Sequence, residues 1–413
     1  MKKGGVAFAG ISLLPEWLAA RPKTGKKPNL IYVFPDQMRR QAMGFWKKPE
    51  YASLLRGTSD PVHTPNLDRF ADESLVFTQA VSTTPLSSPH RAMLFSGKYP
   101  HKNGVKWNCR ADRENQLDPR AECLGDVLKK SGYSCGYIGK YHLDRPEAND
   151  PDNPGHYVNG STRPEQKCWD AYTPEPLRHG FDYWHSYGTF DVHKNPHYWD
   201  SEGKKHEPGI WSPIHEADKA ISYIRNEEGQ RDEQKPFFLV VSMNPPHGPY
   251  HSLKDTDEDV FRKHYSEEKI GDVRELLNRP NIPEEHRPSK RCVRYYASHV
   301  SGVDREFGRI VEAVEKKRTG GEHNSCFCLR PRRNDGQPRA YGENKNLRGG
   351  FRHSVYGTLS GKAAPPHHGP ADGHARHNAF ASGADGAERT NSGGCAGARL
   401  LKIFCKKQEK RKA

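Results

Sequence analysis

The sequence predicts an α/β chain built on a doubly wound, mostly parallel sheet with helices on both faces. Three observations predict it. Short apolar runs recur through residues 28–317, each run gives way to a cluster of polar residues, and stretches with helical apolar spacing lie between them.

The first strand is Asn29 to Phe34 (NLIYVF), which ends at Pro35-Asp36-Gln37. An unbroken apolar run of this length suits a parallel strand buried on both faces, and polar residues collect at its C-terminal end, where open α/β sheets place their sites. Thr64 and Pro65 open a helix, Thr64 as N-cap and Pro65 in the first turn. Leu75 to Phe77 is a second short strand, and Pro89 to Phe95 is a helix stopped by Gly97. Tyr133 to Ile138 and Phe237 to Met243 are further strands, followed by Lys140 and His142 in one case and by His247 in the other. Residues 144–213, rich in Pro, Asn, His and Tyr, read as long loops. Val293 to Lys317 carries Val293, Ala297, Val300, Val303, Phe307, Ile310 and Val314 at helical spacing, the pattern of a core-facing amphipathic helix.

Composition divides the chain. Of 413 residues only 33% are hydrophobic, and the formal charge is +14. Residues 319–413 hold 17 Lys and Arg against 7 Asp and Glu, with only 13 residues from Val, Ile, Leu, Met, Phe, Trp and Tyr. So few large apolar side chains cannot offset the ordering entropy of the segment, so a basic tail without a core is expected from residue 318. Most of the basicity therefore says little about what the body binds, and no interleaving of aromatic and basic residues points to nucleic acid. A basic nucleic-acid-binding protein is the reading this disfavours. No apolar run is long enough to span a bilayer. The nine cysteines form no paired zinc spacing and no disulfide framework. The opening Met1-Lys2-Lys3, the small and apolar stretch Gly4 to Leu14, and Ala19-Ala20 have the order of an export signal. Residues 1–27 are accordingly expected to be a signal remnant and linker, and the protein to be exported to a periplasmic or extracellular space.

The most specific segment is Ser87-Ser88-Pro89-His90-Arg91 through Ser96-Gly97. It is preceded by TPNLDRFADESLVFTQA at 64–80 and followed by Lys98-Tyr99-Pro100-His101-Lys102-Asn103-Gly104-Val105. Gly139-Lys140-Tyr141-His142 and Pro246-His247-Gly248-Pro249 come later. This ordered set resembles the sulfatase family, serine type, within the alkaline-phosphatase-like superfamily, over residues 28 to 317. The resemblance implies a sulfuric ester hydrolase acting on a sulfated sugar, glycan or aryl sulfate, with the first signature residue, Ser87, oxidised to formylglycine by a maturase. A serine hydroxyl is a weak nucleophile at neutral pH. A hydrated aldehyde offers two geminal hydroxyls, one to attack sulfur and one to lose a proton as sulfate departs. The same resemblance gives Asp36, Gln37 and Ser87 as oxygen ligands of Ca2+ or Mg2+, with Gln37 standing where the family often has a second Asp. Arg91, one helical turn beyond Ser87, is implied to hold the formylglycine oxygens and the metal-bound carboxylate. Lys140 and His247 are implied to bind the sulfate, one of them protonating the leaving oxygen, and His142 to take the proton that releases sulfate. A phosphodiesterase or phosphonate hydrolase of the same superfamily is the alternative enzyme.

The family also has a second metal pair, an Asp followed by His or Asn, and a further Lys, all beyond the long helix. No such block is present. Read from the second base of the Glu322 codon, however, the permitted codons through Glu343 allow Asn-Thr-Ile-Val-Val-Phe-Ala-Ser-Asp-His-Gly and, at the end of the run, Gly-Lys. That is a buried strand, the absent pair and the absent lysine, in order. The sequence thus predicts a one-base frame change near Lys317, a catalytic domain at 28–317, and a truncated sheet without its C-terminal subdomain. It also predicts loss of half the metal ligands, and with them activity.

Overall fold

The computed structural model describes most of residues 27–316, with breaks chiefly at 150–156, 159–169 and 270–288, and beyond them strands at 323–328 and 352–359. Residues 1–26, almost all of the segment 1–27 expected to be a signal remnant and linker, and most of the expected basic tail lie outside the described residues.

Nine described strands form one sheet: β1 (Asn29–Val33), β2 (Leu75–Val81), β3 (Ser134–Lys140), β4 (Tyr183–Tyr187), β5 (Tyr198–Asp200), β6 (Lys205–His206), β7 (Phe237–Ser242), β8 (His323–Cys328) and β9 (Arg352–Leu359). Their spatial order is β2-β9-β8-β1-β7-β3-β4-β5-β6. The central pairs β8–β1, β1–β7, β7–β3 and β3–β4 are all parallel, so these five strands end on one edge.

All six residues of β7 are buried, because the strand is covered on both faces. Phe237, Leu239 and Val241 join one core with Ile31, Val33 and Ile138. Phe238 and Val240 point the other way, into a second core with Phe34, Tyr137 and Phe181. The strand period of two thus divides one apolar run between two layers. Four helices bear on the site. Helix α1 (Pro65–Asp72) and α2 (Ser87–Ser96) precede β3, α3 (Leu124–Lys130) leads into it, and α4 (Ser212–Arg225) precedes β7. Helix α5 (Lys290–Lys316) buries the expected stripe: Ala297, Val300, Val303, Phe307, Ile310 and Val314 all lie in the first core.

Several expectations need correction. Residues 144–213 are not all loop, for Tyr183–Tyr187 is a parallel strand of the main sheet. Its sequence, YWHSY, lacks an apolar run, yet Trp184, His185, Ser186 and Tyr187 are all buried, the polar ones through hydrogen bonds such as Ser186 Oγ to the Gly139 carbonyl at 2.6 Å. Thr64 stands at the N-cap position of α1, but its hydroxyl does not cap the helix. It accepts from Gly44 N at 2.7 Å and donates to Asp68 at 3.2 Å. Helix α2 begins two residues early, at Ser87 itself. Finally, the sheet does not end at α5. Strand β8 pairs with β1 from Asn29–His323 to Val33–Phe327, and β9 joins β8 to β2, so this side of β1 is paired.

Candidate active site

Beyond the shared edge, three adjacent parallel strands deliver the polar groups. Asp36 and Gln37 follow β1, Lys140 ends β3 with His142 just past it, and Asn244 and His247 follow β7. Two backbone bonds, Phe34 N to the Val241 carbonyl at 3.0 Å and Asp36 N to the Met243 carbonyl at 2.8 Å, carry the β1–β7 pairing past the strand ends and fix Asp36. Gly139 lets Lys140 approach. It sits at φ 89°, and a Cβ there would meet the Ser242 carbonyl oxygen at 2.2 Å.

Asp36 is fully buried. Its Oδ2 lies 3.1 Å from Lys140 Nζ and 3.4 Å from Arg91 Nη2. Arg91, also buried, donates through Nη1 to the Lys140 carbonyl at 2.7 Å, to Ser242 Oγ at 2.7 Å and to the Tyr137 hydroxyl at 3.3 Å. It also stacks 4.8 Å over the Phe34 ring. Burial pushes the Tyr137 phenol up to about 12, so that hydroxyl stays protonated and donates to the Lys140 carbonyl at 2.7 Å. Gln37 adopts φ 60°, and its carbonyl accepts from the Tyr296 hydroxyl of α5 at 3.2 Å.

Ser87 opens α2 with the side chain turned to His142. The Nδ1···Oγ distance is 2.9 Å, and the far nitrogen, Nε2, lies 3.1 Å from the Cys109 carbonyl. A carbonyl only accepts, so Nε2 carries the hydrogen, and in the neutral ring Nδ1 offers a lone pair to the Ser87 hydroxyl. The segment that supplies this carbonyl is itself tied to the signature, through Ser88 N to Asn108 Oδ1 at 3.1 Å and Cys109 N to Ser88 Oγ at 2.9 Å.

Asp191 and Asn244 were not legible as site residues. Lys140 Nζ is 3.0 Å from Asn244 Oδ1 and 3.7 Å from Asp191 Oδ1. The same Asp191 oxygen lies 3.3 Å from His247 Nδ1 and accepts from Asn244 Nδ2 at 3.0 Å. Desolvation works to raise the Asp191 pKa, but His247 and then Lys140, with the Asn244 bond, hold it down at about 2. His247 Nδ1 also lies 2.7 Å from the Gly248 carbonyl, so Nδ1 carries a hydrogen and Nε2 faces outward from this clasp. No pattern in the loop at 191 marked it; only the fold brings it to Lys140.

The structure therefore joins Asp36, Arg91, Lys140 and His247 through one run of contacts, with the Ser87–His142 pair four residues before Arg91 on the same helix and two residues after Lys140. Asp36, Gln37 and Ser87 offer hard oxygen atoms, which suits Ca2+ or Mg2+ in kind; six to eight oxygens would need more ligands than these three. A separate group, Cys123, Asp126 and His179, brings its side-chain atoms within 4.8 Å of one another. It is a helix cap: Asp126 accepts from Cys123 N at 2.9 Å, and His179 Nδ1 donates to the Ala121 carbonyl at 3.1 Å. No helix among the described residues is long and apolar enough to cross a membrane.

The sulfatase family model matches residues 28–321. An endo-4-O-sulfatase of Bacteroides thetaiotaomicron is 50% identical over 329 residues, covering 78% of this chain and 63% of the relative. An ulvan-active sulfatase of Formosa agariphila is 32% identical over 291 residues, covering 70% of this chain and 47% of the relative. The chain thus spans about half to two thirds of these relatives' lengths. A solved 4S-sulfatase structure from work on glycosaminoglycan metabolism in Bacteroides thetaiotaomicron superposes with TM-score 0.73 at 46% identity, covering 83% of this chain and 69% of that one.

Proposed function

Because the chain belongs to the sulfatase family, we propose that it is built to hydrolyse a sulfate ester on a sulfated glycan, with Ser87 as the residue oxidised to formylglycine and Asp36, Gln37 and Ser87 as ligands of Ca2+ or Mg2+. The observation that carries this reading is the 2.9 Å contact between Ser87 Oγ and a His142 whose other nitrogen is held by a carbonyl. Formylglycine hydrate would supply the nucleophilic hydroxyl that serine lacks, and the cation would withdraw charge from it and from the sulfate.

The chain's own residues do the rest. His142 Nδ1 is set to take a proton from an oxygen on residue 87. Lys140, locked between Asp36, Asn244 and Asp191, holds a fixed positive charge where the sulfate oxygens would sit. His247, clasped at Nδ1, presents Nε2 toward a leaving oxygen. Arg91 pairs with Asp36 and keeps it in register with α2.

We further propose that the one-base frame change near Lys317 removes the second metal pair and lysine, leaving this chain with little activity. What supports it is the location of β8. A strand inside a doubly wound sheet, here parallel to β1 on one side and antiparallel to β9 on the other, is normally apolar, yet its sequence is HNSCFC, while the shifted frame puts Thr-Ile-Val-Val-Phe-Ala at the same positions. Export and action of a serine-accepting maturase belong to the same reading. Two experiments test it. The nucleotide sequence across codons 310–350 should contain the displaced base. After co-expression of the frame-restored protein with a maturase, mass spectrometry of the Ser87 peptide should find a mass lower by a pair of hydrogens. That protein should turn over sulfate esters faster than phosphate esters, and Ser87→Ala should abolish turnover with the fold intact. An active enzyme carrying unmodified serine would sink the formylglycine mechanism.

A further inference from the structure

The loop between α2 and α3 holds the catalytic histidine with its inner side and leaves an indole in solvent. Trp107 is 46% exposed, the only aromatic ring among the exposed large apolar side chains of the described residues. It stands directly before Asn108, which binds Ser88 N, and two residues before Cys109, whose carbonyl binds His142. The ring is not on a free end. Asn115 Nδ2 donates to the Trp107 carbonyl at 2.6 Å, and Lys106 N donates to Asn115 Oδ1 at 3.2 Å, so the loop is cross-braced at this residue.

On its other flank the loop borders a cavity of about 740 Å³ lined by Lys98, Lys102, Asn103, Gln116 and Arg120 among others. Arg120 is engaged with Asp118 at 2.9 Å, but neither Lys98 nor Lys102 has an ion-pair partner among the described residues. One short segment thus carries, in order, two cations without ion-pair partners among the described residues, an exposed indole on a cross-braced backbone, and the backbone that orients the reacting pair.

We propose that this segment is a glycan subsite: Trp107 stacks on the pyranose next to the sulfated sugar, and Lys98 and Lys102 take an anionic group further along the chain. This rests on the sulfated-glycan reading above. A pyranose ring offers an apolar face of C–H groups between its hydroxyls, and an amphipathic indole held rigid by its backbone covers such a face at little cost in entropy. The cations select a polyanion over a neutral polysaccharide and make its capture salt-dependent.

The test is calorimetric titration of the full chain with a sulfated glycosaminoglycan disaccharide, the matching hexasaccharide and the desulfated hexasaccharide. Trp107→Ala should weaken the sulfated hexasaccharide about tenfold, while Trp107→Phe, which keeps a stacking ring, should stay within about threefold. The double substitution Lys98→Gln with Lys102→Gln should weaken the hexasaccharide and flatten its salt dependence without changing the disaccharide. Hexasaccharide binding that is absent, or indifferent to Trp107→Ala, overturns the proposal. So does equal weakening by Phe and Ala with a lowered melting temperature in both, which would make the ring a structural brace. If sulfated and desulfated hexasaccharides bind equally while Trp107 still matters, the stacking part of the subsite stands, and the anion role of Lys98 and Lys102 falls together with the sulfated-glycan substrate.

Discussion

Arg91 Nη1 faces three oxygens, from Tyr137, Lys140 and Ser242, and Nη2 faces Asp36. A lysine at this position could not span that fork. Its single ammonium would reach one or two of the acceptors and leave the rest buried without a donor. Arg91→Lys is therefore expected to destabilise the fold by roughly 3 kcal/mol, the scale of breaking a buried charged network. Urea unfolding with an unchanged m-value would establish it, and a loss below about 1 kcal/mol would contradict it. The sequence placed Arg91 one turn after Ser87, and that spacing alone brought it near the signature. It could not say that the guanidinium faces β1, β3 and β7 at once, because that depends on strand order. The same limit hid Asp191, which lies in a loop with no motif yet contacts Lys140 and His247.

At the scale of elements, strands β1 and β7 were legible as short apolar runs and β3 by its Tyr133–Ile138 stretch, each giving way to polar residues, and helix α5 because its stripe keeps helical period from Val293 to Val314. Strand β4 was not, since His185 and Ser186 are satisfied by partners that only the folded sheet supplies, among them His215 Nε2 at 2.8 Å from His185 Nε2. Helix α4 was missed for a related reason: its buried face includes Ser212, Glu216 and Ser222 among the apolar residues, which blurs the period. The junction of β3 and β7 yields the second prediction. Gly139→Ala forces a Cβ to within 2.2 Å of the Ser242 carbonyl at a φ of 89°, so the strands must separate where Lys140 enters the site. A loss of roughly 2–4 kcal/mol is expected, with weaker binding of sulfate ester. Thermal unfolding and ligand titration of one sample would check both, and an unchanged melting temperature would refute it.

Across the whole molecule, several histidines are buried in neutral form, and this sets an acid limit. Burial, opposed by Asp191 and the bond to the His247 carbonyl, pushes His193 down to about 4 from its usual 6.5. Burial also pushes His215 down to about 4. Each binds its proton more readily once unfolded, so the stability they contribute is complete above pH 6.5 and is lost as pH falls through about 4, up to roughly 3 kcal/mol for His193. His193→Asn should flatten stability between those values, as read by chemical unfolding at a series of pH values; an unaltered slope would assign the acid limit elsewhere. Ser87, finally, is only 3% exposed in the folded chain, at the start of a helix whose first five residues are all buried. An enzyme that oxidises it must meet an open chain. The parallel partner that closes β1 and β3 together is β7, and Phe237 leaves the ribosome roughly 150 residues after Ser87, which at about 5–20 residues per second is roughly 8–30 s. On the formylglycine reading proposed above, oxidation of this serine would thus be a race against synthesis, decided by how quickly a maturase finds the nascent chain.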